Sequence, residues 1–152
     1  MKITPIVAGG LAVLAVAATA VAQNWQLDPT YGSIQLTSGF QPDPHSVVLQ
    51  AGGSIDASNL GPECRGLIAD APDYDLVFEP GALPLNIYVT SDSDTTLVIN
   101  GPDQQWYCSD DVNGLNPLVS FSAPQAGLYD IWVGSFGGLA SATLHISELP
   151  PR

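Results

Sequence analysis

Positive charge is nearly absent from this chain: 152 residues carry three Lys and Arg together against fifteen Asp and Glu, a formal net charge of −12. A surface of that sign repels phosphate, which excludes nucleic acid as a partner. Histidine is also scarce, at two residues, His45 and His145. Neither stands in a His-Glu-x-x-His segment, and Gly-x-Ser-x-Gly, Gly-Asp-Ser-Gly-Gly and a Gly-rich phosphate loop are all missing. A serine triad needs a base, an orienting acid and a nucleophile on a strained turn, and a zinc peptidase needs its paired histidines. His45 follows Pro44 in a turn-rich stretch, and His145 alternates with Leu144 and Ile146, so it points from the outer face of a strand. Paired carboxylates could serve glycoside hydrolysis, but a short chain leaves little room for a substrate cleft.

Long apolar runs are missing beyond the N-terminus. Residues 1–22 have the three parts of a secretory signal: Lys2, an apolar stretch from Ile6 to Ala18, and the small-residue site Ala20-Val21-Ala22. The stretch contains Gly9 and Gly10 and falls short of the ~20 apolar residues of a membrane span. Cleavage after Ala22 leaves about 130 residues, enough for one domain with its own core, and no membrane span in the mature form. The expected address is the periplasm or the medium. Scattered acids such as Asp28, Asp43 and Glu148 then read as solubility charge.

Cysteine is limited to Cys64 and Cys108. Export places them where thiols oxidise, and neither has a close Cys or His partner for metal or redox work, so one disulfide is expected.

No window holds a helical period, whereas two-residue alternation recurs at Ile34/Leu36, Val47/Leu49, Leu76/Phe78, Leu85/Ile87/Val89, Leu97/Ile99, Val119/Phe121, Tyr129/Ile131/Val133 and Leu144/Ile146. Turn signals separate these runs, among them Gly52-Gly53, Pro80-Gly81, Asn100-Gly101-Pro102-Asp103 and Gly137-Gly138. Many short strands with frequent turns predict an all-β, jelly-roll-like antiparallel β-sandwich over 23–148. Gln23 to Pro29 has little pattern and reads as a tail, as does 149–152, where Pro150 and Pro151 cannot extend a ladder.

Acids crowd between Asp92 and Asp111. Asp92 and Asp94 precede the strand around Leu97, and Asp110, Asp111, Asn113 and Asn116 fill the next long connection. If Gly101-Pro102-Asp103 turns the chain back, the two groups meet at one end of the sandwich. Crowded carboxylates raise one another's pKa and are relieved by a hard cation, for which calcium, with six to eight oxygen ligands in irregular loops, is the natural choice. An EF-hand is excluded because counting from Asp92 puts Leu97 where the loop glycine belongs. Asp94 and Asp110 are the foremost ligand candidates and Asp103 the last. The other reading is that these Asp and Asn side chains make turns by bonding nearby backbone.

Three aromatics allow a further role. Trp106 and Tyr107 adjoin Cys108, and Trp132 is out of phase with Ile131 and Val133, so at least one indole is expected to face away from the main core. Such rings form a surface that stacks on a glycan or anchors an exported protein, unless loops cover them as a second layer.

Over residues 66–148 the order of features resembles the bacterial pre-peptidase C-terminal domain. The residues that carry the resemblance are Asp73-Tyr74-Asp75-Leu76, Leu85-Asn86-Ile87-Tyr88-Val89, Ser91-Asp92-Ser93-Asp94-Thr95-Thr96-Leu97, Gly101-Pro102-Asp103, Asp110-Asp111, Gly114-Leu115-Asn116-Pro117 and Ala126-Gly127-Leu128-Tyr129-Asp130-Ile131-Trp132-Val133-Gly134. The resemblance implies a β-sandwich and a noncatalytic accessory role beside exported proteases, although no protease domain precedes the module here. The expected function is a noncatalytic secreted accessory or binding module, stabilised by the disulfide and by calcium, with an exported protein or a glycan as partner. The alternatives are a structural envelope or matrix protein that self-associates through edge strands and, third, a secreted hydrolase.

Overall fold

The computed structural model describes residues 23–151, so the expected signal segment, 1–22, lies outside the described residues. Eleven strands follow one another: β1 (Ser33–Thr37), β2 (His45–Ala51), β3 (Ile55–Asp56), β4 (Leu67–Ile68), β5 (Tyr74–Glu79), β6 (Leu85–Thr90), β7 (Thr95–Asn100), β8 (Trp106–Ser109), β9 (Leu118–Phe121), β10 (Gly127–Ser135) and β11 (Ala140–Ser147). A 3-10 turn, Ala57–Asn59, follows β3 and is capped by the Asp56 carboxylate, which accepts from the Ser58 N–H.

The strands form a seven-stranded sheet, in which β10 pairs with β5, β7 and β4, and a four-stranded sheet in the order β2-β11-β6-β9. This is the all-β sandwich expected from the alternation, antiparallel throughout except for β1, which runs parallel to β5 from Ser33↔Asp75 to Thr37↔Glu79. Leu76, Phe78, Leu97, Ile99, Ile131 and Val133 on one sheet face Leu49, Ile87, Val89, Leu144 and Ile146 on the other, all buried. Each such side chain contributes roughly 1.5–3 kcal/mol on burial.

β10 is buried along both faces, from Tyr129 to Ser135. Its outward residue Trp132 packs with Val98, Ile68, Ala57 and Cys64 in a second, smaller core. The cover over that core is the 52–66 excursion, held at the Cys64–Cys108 disulfide, whose Cα atoms lie 4.9 Å apart. Gly53 permits the cover to close down, because a Cβ there would overlap the Ile68 carbonyl.

The ends are docked rather than loose. The N-terminal segment, read as a tail, is held where Asn24 N–H donates to the Asp70 carbonyl and Tyr31 N–H to that of Asp73. At the other end Glu148 is 4% exposed and accepts from Ser38 Oγ at 2.5 Å and the Gly39 N–H at 2.6 Å. Asp43 accepts from Ser147 Oγ and the Glu148 N–H. Asp43 and Glu148 are therefore latches, a correction to their reading as solubility charge: local pattern does not show which acids meet donors across a hundred residues.

A second group of acids is buried. Asp73 accepts from the Val133 N–H at 2.7 Å, and burial still pushes its carboxyl up to about 7. Asp75 and Asp130 are directly opposed in β5 and β10. Burial raises both, Asp75 to about 6 and Asp130 to about 7, and Asp75 raises Asp130 further; the Oδ1 of each is shielded and has no hydrogen-bond partner.

Two outcomes follow. Native protein should contain no free thiol, and Cys64→Ala should lower stability by roughly 2–4 kcal/mol in denaturant unfolding, with a red shift of indole fluorescence as Trp132 loses its cover. For the acids, a folded pKa above the unfolded one means that the folded state holds the proton more tightly. Their stabilisation is complete below the ordinary carboxylate range and is lost as pH rises through about 6 to 7. His45 and His145 work in the opposite sense: burial lowers both, so their contribution is lost as pH falls below the ordinary imidazole value. Asp130→Asn removes the charge that faces Asp75 and puts an amide donor in its place. It should stabilise the protein at pH 8 by on the order of 1–2 kcal/mol and leave it nearly unchanged at pH 4; an identical difference at both pH values would contradict this assignment.

Candidate functional site

The hairpin of β7 and β8 assembles the acidic loops. Its register places Leu97 opposite Ser109, so Asp94, just before β7, and Asp110 and Asp111, just after β8, reach the same end of the sandwich. The 110–116 loop is tied down beside them: Thr95 N–H donates to the Leu115 carbonyl at 3.3 Å and Ser91 N–H to Asn116 Oδ1 at 2.9 Å. One carboxylate oxygen from each of Asp94, Asp110 and Asp111 lies within 4.8 Å of the others. That spacing is about twice a calcium–oxygen bond, so one ion could touch all three.

Asp94 and Asp110 are half-buried and Asp111 is exposed. Asp94 Oδ1 and Asp110 Oδ1 are shielded from solvent and accept no hydrogen bond. Burial raises the Asp94 carboxyl, and Asp111 adds to the rise. Asp110 is raised by burial first, then by Asp111 and Asp94, against the pull of Arg65. The group is thus short of positive charge and of donors, which is what a bound cation would supply.

The remaining sequence-stated candidates divide. Asp92 is exposed and stands outside the triad. Asn113 and Asn116 pair with each other through both backbone bonds, and the Asn116 amide oxygen is already used by Ser91, so these two shape the loop. Asp103 holds its own turn, accepting from Tyr107 Oη at 2.6 Å and the Gln105 N–H at 3.1 Å; the Tyr107 bond lowers its pKa.

Trp132 does face away from the main core, as its phase requires, but it is fully buried and offers no surface. This corrects its reading as a binding aromatic: the 52–66 cover that hides it has no signal in the strand periodicity. Trp106 is half-buried against it, with ring centroids 5.5 Å apart. Tyr107 packs on the main core, edge-on to Phe121 at 4.9 Å. The exposed apolar side chains at the loop end are others: Val112, Leu115, Phe136 and Leu139. Phe136 and Leu139 line, with Asp94, a hollow of about 450 Å³. They had no sequence signal, since lone apolar residues in Gly-rich turns are common on surfaces.

His145 lies on the outer face of the four-stranded sheet, between Ser46 Oγ at 2.8 Å from Nδ1 and Thr90 Oγ1 at 2.9 Å from Nε2. His45 Nε2 is 3.1 Å from Tyr74 Oη. The Ser46–His145–Thr90 row has a hydroxyl where a catalytic triad has its acid, so nothing there stabilises an imidazolium.

No protein-family model matches the chain, and no curated protein matches it as a relative. Among solved structures it is similar to Aeromonas hydrophila PliG, a periplasmic lysozyme inhibitor of g-type lysozyme, at 17% identity and a TM-score of 0.39, over 76% of this chain and 96% of that one. A likeness of that size carries no function across.

Proposed function

We propose that this protein is a noncatalytic exported binding module whose loop end is organised by calcium, related to the pre-peptidase C-terminal domains that it resembles. The observation that carries the reading is the triad of Asp94, Asp110 and Asp111, two of whose oxygens are shielded and without donors. Carboxylates left in that state are costly unless protonated or bound to a cation. Calcium would neutralise the repulsion and join the loop after β8 to the segment before β7; the chain's own contribution is to hold three oxygens at a spacing that suits the ion. A noncatalytic role is supported by the two histidines: both ring nitrogens of His145 and Nε2 of His45 face hydroxyls rather than an acid. Export is supported by the expected signal sequence and by a disulfide built into the fold. The apolar rim of Phe136 and Leu139 beside the triad supports binding rather than a purely structural role.

Calcium that binds only the folded state stabilises it by about 2.7 kcal/mol at a hundredfold excess over Kd. Thermal melting of chelator-stripped protein should therefore move upward by several degrees in millimolar calcium, and less in magnesium. Asp94→Asn and Asp110→Asn should each remove most of that shift, and Asp92→Asn should leave it intact. A melting temperature that ignores calcium, or follows magnesium equally, would show these loops to be turns only.

A further inference from the structure

Alternation fixes which way the acids of the larger sheet point. Leu76, Ile131 and Ile99 are core residues, so their strand neighbours Asp75, Asp130 and Asn100 project from the opposite, outer face. Register then sets them side by side: Ser33 opposes Asp75, Asp75 opposes Asp130, Asp130 opposes Asn100, and Asn100 opposes Trp106. Directly paired positions on one face have Cβ atoms roughly 4.5–5.5 Å apart. The middle of this row is therefore two carboxylates and an amide on three adjacent strands.

Little water reaches it. Asp130 is 3% exposed and Asn100 7%, while Asp75 is half-buried and gives the row its open side. The Oδ1 atoms of Asp75 and Asp130 are both shielded and accept no hydrogen bond. The Asn100 amide, from a residue that is not acidic at all, bonds to no other side chain or backbone group among the described residues. Positive charge is missing as well. Arg65, the one Lys or Arg among the described residues, acts on Asp110 and Asp56, and the charge that the docked N-terminal segment brings to Asp75 is Asp28, of the same sign. Two opposed carboxylates so placed either keep a proton or hold a cation. A proton would satisfy the pair alone; a cation would also take the amide that the fold has buried beside them without a partner. The row offers carboxylate and amide oxygens and no imidazole or thiol, a donor set that suits hard cations.

We propose that Asp75, Asp130 and Asn100 form a binding site for a hard divalent cation, magnesium or calcium, seated over Asp130 with one oxygen from each strand and water in the remaining positions. Ligand oxygens about 2.0–2.6 Å from such an ion match the gap between neighbouring strands. The site is distinct from the loop-end triad, because Asn100 ends β7 whereas Asp94 precedes its start, roughly 20 Å away along the strand. Its support is independent of the calcium reading above. To keep the two apart, melting and calorimetric titration use mature, disulfide-intact, chelator-stripped protein carrying both Asp94→Asn and Asp110→Asn. The pH is 8, above the range to which burial raises the two sheet carboxyls, and magnesium, calcium and manganese are added singly at millimolar concentration. At least one ion should raise the melting temperature by several degrees and bind once per chain. Asp130→Asn in this background should raise the ion-free melting temperature and abolish ion binding, a combination that misfolding does not give. Asn100→Leu should weaken binding about tenfold. The assignment is overturned if none of the three ions binds, or if binding persists unchanged in Asp130→Asn or in Asn100→Leu; the pair then holds protons only. A calcium response of the unsubstituted protein that this background lacks entirely would overturn the sheet site and leave the loop-end reading standing, and a response that Asp94→Asn and Asp110→Asn leave undiminished would do the reverse.

Discussion

Burial of β10 on both faces is the constraint from which the rest of the structure follows. A sandwich needs only one apolar face per sheet, and β10 supplies it with Tyr129, Ile131 and Val133. The same strand also carries Trp132 and Asp130 outward, and an indole of that size cannot be left against water without losing much of what its burial contributes. The chain therefore leaves the sheet after β2, lays β3 and the 3-10 turn over Trp132, and is stapled to β8 by Cys64–Cys108. The bridge closes a loop over a sequence separation of 44 residues, worth roughly 4 kcal/mol in the chain-entropy picture, and it acts on the segment that has the fewest strand contacts of its own.

The same arrangement places the loop end. β7 is buried throughout and pairs with β10 on one side and β8 on the other, so the hairpin brings Asp94 at one foot beside Asp110 and Asp111 at the other. The strands of the opposite sheet hold no charged residue, and carboxylates reach that layer from its flanking loops, at Asp43 and Asp92.

The eight alternating runs in the sequence all fall within strands, from Ile34/Leu36 in β1 to Leu144/Ile146 in β11. The strands without such a pair, β3, β4 and β8, are short or pack half-buried side chains on a local cover, and two-residue periodicity has nothing to register there. The approach of Asp94 to Asp110 and Asp111 was legible because a Gly-Pro-Asp turn between two β runs implies an antiparallel return, and register does the remainder. The opposition of Asp75 and Asp130 was not, since it depends on which strands become neighbours across more than fifty residues of chain.

Composition and local pattern by themselves determined the all-β class, the acidic character of the chain and the pairing of the two cysteines, because charge sign, cysteine count and side-chain alternation are properties of the chain before it folds. Only the tertiary structure decided which acids are latches and which are shielded without donors, and that Trp132 is hidden beneath the 52–66 cover. The physical reason is that solvation is set by neighbours: an Asp or a Trp has the same formula everywhere, but its cost or use depends on what the fold brings within a few ångströms.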